Sequence, residues 1–416
     1  MTAGVRVVLD ARPLQEADRA PTTAIYLREL LAAFERNPQQ GESFVFLLRS
    51  DLPDPTADLD GLQVIGRRLL PPTRIVRSAA LTVDPFLVGG ASIGAAWRAE
   101  AGGAAGAVYH AAGGVAPAFS TIPVVATLLD LAPWERPETF QRTVAARIGQ
   151  RLRAGLLREA AAVIVGSAGA AATARRLLRL RRDRLHVVPL APRAAFEPGA
   201  ESAPGRRAAR GDPNVEARRL GLPARYAVYP GRYDARQDLA TLLAALAELA
   251  RSGRPAALRD DEPWPPRIVL VGASPDDRAA VARAAARHGV GDALAYSPPL
   301  DATRLATLVC GSRAVLLPML SDAAGLPAIE AIAAGVPVVA SAVGVLPDVV
   351  GAAGILVEPR DPKRLSIALT TIMVDDAAHG RLAGVASERS ALAGRSWDDV
   401  ARETRDVYAS AARGRD

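Results

Sequence analysis

The sequence predicts an α/β protein made of two Rossmann-like, doubly wound domains. At 416 residues the chain is too long for one ordinary core, and two domains are the natural expectation. Short apolar runs alternate with helical stretches through both halves, the pattern of strands and helices in a parallel α/β sheet. Ala200 to Asn214, rich in Gly, Pro, Ala and Arg, reads as a linker between the halves.

In the first half, Val5 to Asp10 (VRVVLD) is the first strand, and Ile25 to Phe34 is an amphipathic helix with Ile25, Leu27, Leu30, Leu31 and Phe34 apolar. Phe44 to Leu48 and Gln63 to Ile65 are further strands. Asp84 to Ala105 is rich in small residues and reads as a helix interrupted by glycines. Ala107 to His110 ends a strand. Ile122 to Leu131 supplies another, and Thr143 to Glu159 is an Arg-rich amphipathic helix. Ala161 to Val165 and Leu185 to Leu190 are the last strands of this half.

The second half opens with a strand at Tyr226 to Tyr229, then Pro230 to Asp238 as a loop and Leu239 to Leu249 as a helix. Arg267 to Gly272, Ala293 to Tyr296 and Gly354 to Val357 are strands. Asp276 to His288, Ala302 to Val309, Asp361 to Met373 and Trp397 to Ala412 are helices. The densest unit is Leu316 to Gly351. Val315 to Leu317 end a strand, and Ser321 to Leu326 form a small-residue loop. Pro327 suits a first helical turn, where its missing N–H costs nothing. Ala328 to Ala334 make a short helix, and Gly335 is the expected stop. Val336 to Ala340 is too apolar to have a solvated face, so it is expected to be parallel and covered on both sides. A glycine-containing loop feeding a helix N-terminus is a ready anion site, because free N–H groups and the dipole point into it.

Half of the residues are hydrophobic, a globular composition. The single cysteine, Cys310, excludes an internal disulfide, suits a reducing compartment and reads as buried and inert. The net charge of +7 would suit nucleic acid or an anionic surface. However, Lys363 is the only lysine, and the Arg and Ala bias reads as that of a GC-rich genome. No aromatic residues interleave with Arg as an RNA platform requires, so no nucleic-acid partner is expected. The basic run Arg175 to Arg184 is read as a solvated helix face; the alternative is a peripheral membrane contact with anionic lipid. Four scattered histidines and one cysteine make no metal-ligand set. The chain opens into a strand without a signal-peptide pattern, and no stretch reaches the about 18–20 apolar residues of a span. A soluble, cytoplasmic protein is expected.

Three segments carry a resemblance. Asp322-Ala323-Ala324-Gly325-Leu326-Pro327-Ala328-Ile329-Glu330 is followed by Gly335 to Ser341 and then by Leu346-Pro347-Asp348-Val349-Val350-Gly351. This order resembles the donor-site segment of retaining glycosyltransferases of family 4, which have the GT-B fold. Their pattern is Glu-Gly-Phe-Gly-Leu-Pro-x-x-Glu, then Gly-x-Pro-Val-Val-Ala-Ser, then Leu-Pro-Glu-Val-Val-Gly. Ile122 to Leu131 followed by Pro137-Glu138-Thr139-Phe140 is similar to a second family segment. Gly231-Arg232, five residues before Gln237-Asp238, is similar to a third, Gly-Arg-x-x-x-x-Lys-Asn/Gly.

The resemblance implies two Rossmann-like domains facing across a cleft, with boundaries at 1–198, a linker over 199–215, a nucleotide-sugar-binding domain over 216–395, and a C-terminal helix over 396–416 packed back on the first domain. It implies transfer of a sugar from a nucleoside-diphosphate sugar, a substrate and not a cofactor, to a glycan, lipid or small-molecule acceptor with retention. Arg232 would clamp the phosphates. Arg236 has two readings, a second cation that compensates for Gln237 or a solvated loop arginine. Glu330 would hold the ribose hydroxyls and Asp322 the donor sugar, and N–H groups near Gly325 and Leu326 would help hold sugar and phosphate. His110 has two readings, a hydrogen-bonded strand-end histidine or a contact on the cleft wall.

Several positions depart from the family pattern. Asp322 replaces Glu, and Leu129 stands where a histidine packs beside the donor sugar. Ala168 follows Ser167 in place of Glu. Pro21-Thr22-Thr23-Ala24 replaces a glycine-rich loop, and Gln237 replaces the phosphate-clamping lysine. Removing one charged donor from such a clamp costs roughly 3 kcal/mol, about a hundredfold in rate. The departures set a second expectation beside the enzyme: a degenerate GT-B protein that binds a ligand or a partner without turnover.

Overall fold

The computed structural model describes residues 4–72, 83–90, 106–113, 115–197, 212, 214–231 and 233–413. Contacts divide the chain into two compact units, Met1–Leu190 with Ser396–Asp416, and Ala191–Arg395. The linker expected over 199–215 lies mostly outside the described residues, as does most of the glycine-interrupted helix expected over 84–105; its described part, 84–90, is helical.

The first unit holds a seven-stranded parallel sheet in the order β3-β2-β1-β4-β5-β6-β7. Its strands are β1 (Arg6–Asp10), β2 (Ser43–Arg49), β3 (Val64–Leu70), β4 (Ala107–Ala111), β5 (Val124–Leu128), β6 (Ala162–Val165) and β7 (Leu185–Val187). Chain order reverses between β1 and β4, a doubly wound topology. The first long helix, Pro21–Arg36, starts earlier than its apolar periodicity suggested. Thr22, Thr23 and Ala24, expected as a loop, are its first turn. Pro21 sits in that turn, where a fixed φ favours helix, and no glycine is present to keep the backbone open.

The terminal helix Trp397–Arg413 belongs to this unit and buries Trp397, Val400, Thr404 and Tyr408. Arg405 forks onto Glu42 through two bonds of 2.8 and 2.7 Å and stacks 4.6 Å above the Phe34 ring. His110 is fully buried between this helix and β5. Its ring nitrogens lie 2.7 Å from the Tyr408 hydroxyl and 2.8 Å from the Thr127 hydroxyl. Burial pushes its pKa down to about 3, with Asp10 pulling the other way, so it is neutral at physiological pH. Of the two readings of His110, the hydrogen-bonded core histidine is the one observed.

The second unit holds a six-stranded parallel sheet in the order β10-β9-β8-β11-β12-β13. The strands are β8 (Tyr226–Tyr229), β9 (Arg267–Val271), β10 (Leu294–Ser297), β11 (Ala314–Leu317), β12 (Val338–Ser341) and β13 (Gly354–Val357). Successive strand residues feed opposite cores. Val228, Val269, Val315 and Val338 pack with Ala328 and Ile332 on one face. Ala227, Ile268, Leu316 and Val339 pack with Leu242, Leu246 and Leu369 on the other. Two apolar faces explain why these strands read as continuous apolar runs and not as alternation. The helix Asp376–Ala393, which shows no clear apolar period, completes the layer beside Leu326–Ala333.

Candidate functional site

In an open doubly wound sheet, ligands bind beyond the carboxyl ends of the strands, where strand order reverses. In the second unit that point lies between β8 and β11, which pair through Ala227–Ala314 and Val228–Val315. The loops leaving these two strands carry Arg236, Asp322 and Gly325, while Leu326 opens the helix that follows and Glu330 lies on it. Arg232 lies outside the described residues.

The loop after β8 is tied down at several points. Gly231 packs so closely that a Cβ there would stand 2.2 Å from the Val271 carbonyl oxygen. The Tyr233 hydroxyl donates to that same oxygen at 2.9 Å. The Arg236 guanidinium pairs with Asp234 of its own loop at 2.6 Å. Gln237 bridges Met319 in antiparallel fashion, and Asp238 N–H donates to the Pro318 carbonyl at 2.7 Å. Loops from the next two strands join in. The Ser341 hydroxyl at the end of β12 accepts from Met319 N–H at 2.9 Å, and Asp238 accepts from Arg360 N–H at 2.9 Å. The loops after β8, β11 and β13 and the end of β12 are thus laced into one rim. Within it the Gln237 side-chain oxygen is buried without a hydrogen-bond partner.

Asp322 organises the loop after β11. Its Oδ1 accepts from Ala324 N–H at 2.9 Å and Gly325 N–H at 2.8 Å, and its carbonyl accepts from Val345 N–H at 2.9 Å. Gly325 has φ +65°, and a Cβ there would meet Val345 Cγ1 at 2.8 Å. Only glycine serves such a close, left-handed position. It caps the helix Leu326–Ala333, which includes Pro327 in its first turn, starts two residues earlier than expected and ends before Gly335 at φ +74°.

Glu330 is 4% exposed on this helix. Both its oxygens are held by Arg193, at 2.5 Å to Nε and 2.9 Å to Nη2. Arg193 precedes the turn Ala194–Phe196, and its guanidinium lies over the Phe196 ring at 5.3 Å. Burial pushes the Glu330 carboxyl above its usual range, and the Arg193 bonds pull it back. Removing one partner of such a buried pair costs about 3–5 kcal/mol. Arg193 lies 137 positions from Glu330, and no local pattern marks it in the sequence.

In the first unit, Leu129 is buried, and the Asp130 carboxylate accepts from Ala132 N–H at 3.0 Å to cap the next turn. Ser167 caps the helix Ala168–Leu178 through Ala170 N–H at 3.0 Å. Among the described residues, no three His, Cys, Asp or Glu side chains gather as a metal site, and no helix is long and apolar enough to cross a membrane.

Residues 224–375 match the family model described as glycosyl transferases group 1. A D-inositol 3-phosphate glycosyltransferase of Xylanimonas cellulosilytica is 30% identical over 239 residues, 56% of this chain and 53% of that protein. One of a Nocardioides species is 34% identical over 122 residues, 29% of this chain and 26% of that protein. The chain thus matches about half the length of the first relative and about a quarter of the second. Among solved structures, a sucrose-phosphate synthase of Thermosynechococcus elongatus superposes with TM-score 0.71 at 22% identity, covering 98% of each chain. HepE of Anabaena, solved with UDP and glucose, gives 0.67 at 16% identity, covering 97% of this chain and 99% of that one. WaaG, a glycosyltransferase of lipopolysaccharide biosynthesis, gives 0.68 at 15% identity with the same coverage. These likenesses establish the GT-B fold.

Proposed function

We propose, from the match of residues 224–375 to the glycosyl transferases group 1 model, that this protein is a cytoplasmic glycosyltransferase. It takes a nucleoside-diphosphate sugar and passes the sugar to a glycan, lipid or small-molecule acceptor with retention. The observation that carries this reading is the laced rim of loops at the β8–β11 switch point, ending in the Gly325-capped helix.

The chemistry has two demands. The departing diphosphate gathers charge, and the sugar becomes oxocarbenium-like. Arg232, next to the tightly packed Gly231, and Arg236 answer the first. The positive end of the helix at Gly325 and Leu326 adds to them. Asp322, already fixed by two amides, stands beside the helix start to orient the sugar. Glu330 is the carboxylate on the nucleoside side.

The named activity of the two relatives makes D-inositol 3-phosphate the first acceptor to try. The test is release of nucleoside diphosphate from UDP-, GDP- and ADP-glucose with and without that acceptor. Acceptor-dependent release from one donor, abolished in Arg232→Ala, supports transfer. Absence of release from every donor removes the enzyme reading.

One observation favours a second reading, a degenerate GT-B subunit that binds without turnover. Both carboxylates of the motif are engaged internally, Asp322 by loop amides and Glu330 by Arg193, and Gln237 brings no charge. Under this reading nucleotide binding persists without transfer.

A further inference from the structure

The Arg193–Glu330 pair bears on which nucleotides the site can distinguish. A carboxylate that faces a ribose is useful because two neighbouring hydroxyls can each donate to one of its oxygens. The Arg193 guanidinium offers the same geometry, two parallel N–H donors, and adds a full positive charge. The pair is enclosed: the Glu330 side chain is 6% exposed and that of Arg193 14%. Neutral hydroxyls would have to displace a buried, charge-assisted fork and leave a guanidinium without its carboxylate. That exchange is unfavourable, because charge-assisted bidentate bonds are roughly twice as strong as neutral ones.

We infer that Arg193 substitutes for the ribose hydroxyls as the partner of Glu330, so that the site takes 2′-deoxyribonucleoside diphosphates as readily as ribonucleoside diphosphates. Arg193 is thereby a specificity-determining residue that removes a sugar preference. The inference rests on the nucleotide-site reading above and deepens it. A purely structural ion pair, remote from the nucleotide, would leave the ribose-to-deoxyribose ratio unchanged when Arg193 is replaced.

The test is calorimetric titration of the full chain with three matched pairs: UDP and dUDP, GDP and dGDP, ADP and dADP. For whichever base binds, the wild-type protein is expected to hold both sugars within about twofold. Arg193→Ala is expected to prefer the ribonucleotide by about tenfold, the worth of one or two recovered hydroxyl bonds to a charged group. A tenfold ribose preference in the wild type, or equal ratios in wild type and variant, overturns the inference and leaves the nucleotide site standing. Binding of none of the six by wild type or variant overturns the nucleotide site and the inference together. Should Arg193→Ala not fold, Arg193→Gln keeps one neutral donor and serves the same comparison, and the wild-type ratio stands without any variant.

Discussion

Gly344 abuts the backbone of Asp322: a Cβ at 344 would stand 1.7 Å from the Asp322 carbonyl oxygen, and its φ is +56°. The loop after β12 therefore seats directly on the loop after β11. The same carbonyl accepts Val345 N–H, so the contact is both steric and hydrogen-bonded. Two loops that read as separate turns in the sequence form one surface.

Gly344→Ala is expected to push these loops apart. The left-handed backbone and the clash together cost about 1–3 kcal/mol. Urea unfolding should show that loss, and nucleoside diphosphate binding should weaken with it. Gly291→Ala is the control, because a Cβ there meets open space. Equal stability of the two variants would show that the Asp322 contact is dispensable.

Gln237→Lys restores a cation in the rim. The Gln237 oxygen is buried without a hydrogen-bond partner, so replacing the amide gives up little. A charge-assisted bond to a phosphate is worth about 1.5–3 kcal/mol. Nucleoside diphosphate affinity should rise about tenfold or more by calorimetry. Unchanged affinity would mean that position 237 does not face the phosphates.

Acid sensitivity should trace in part to His110. Its folded pKa, about 3, lies below the ordinary value of 6.5, so the unfolded chain binds the proton first. Stability is full above pH 6.5 and falls as pH drops toward 3. Between pH 7.5 and pH 5 the loss from this one group is about 2 kcal/mol. Urea midpoints at the two pH values, compared with those of His110→Gln, should show a smaller pH effect in the variant. An identical pH effect would mean that His110 titrates normally in the folded protein.

Two ion pairs of the terminal helix should behave differently. Arg405–Glu42 is buried, with side chains 10% and 6% exposed, whereas Arg36–Asp398 is about half exposed. Arg405→Ala is expected to cost about 3–5 kcal/mol, because it strands a buried carboxylate. Arg36→Ala is expected to cost under about 1 kcal/mol. Equal effects in thermal unfolding would contradict this ranking of burial.

The sequence showed the central strands well, because they are buried on both faces and read as uninterrupted apolar runs. Val338 to Ser341 and Ala314 to Leu317 are examples. Helix starts were less legible. Pro21 begins its helix four residues before the apolar period does, and Asp376–Ala393 has little period to detect. Within the candidate site, Glu330 and Gly325 stand out locally because motif spacing and backbone need are local properties. Arg193 does not, because its meaning comes from a partner on another element. Asp322 was legible as an acid in a loop, but its two amide bonds depend on how the chain turns at Gly325.

The most direct test of the nucleotide site is calorimetric titration of the purified protein with UDP, GDP and ADP, beside Arg232→Ala. The site described here predicts micromolar binding of one nucleotide, weakened at least tenfold in the variant. Binding of none of them by a folded sample would contradict it.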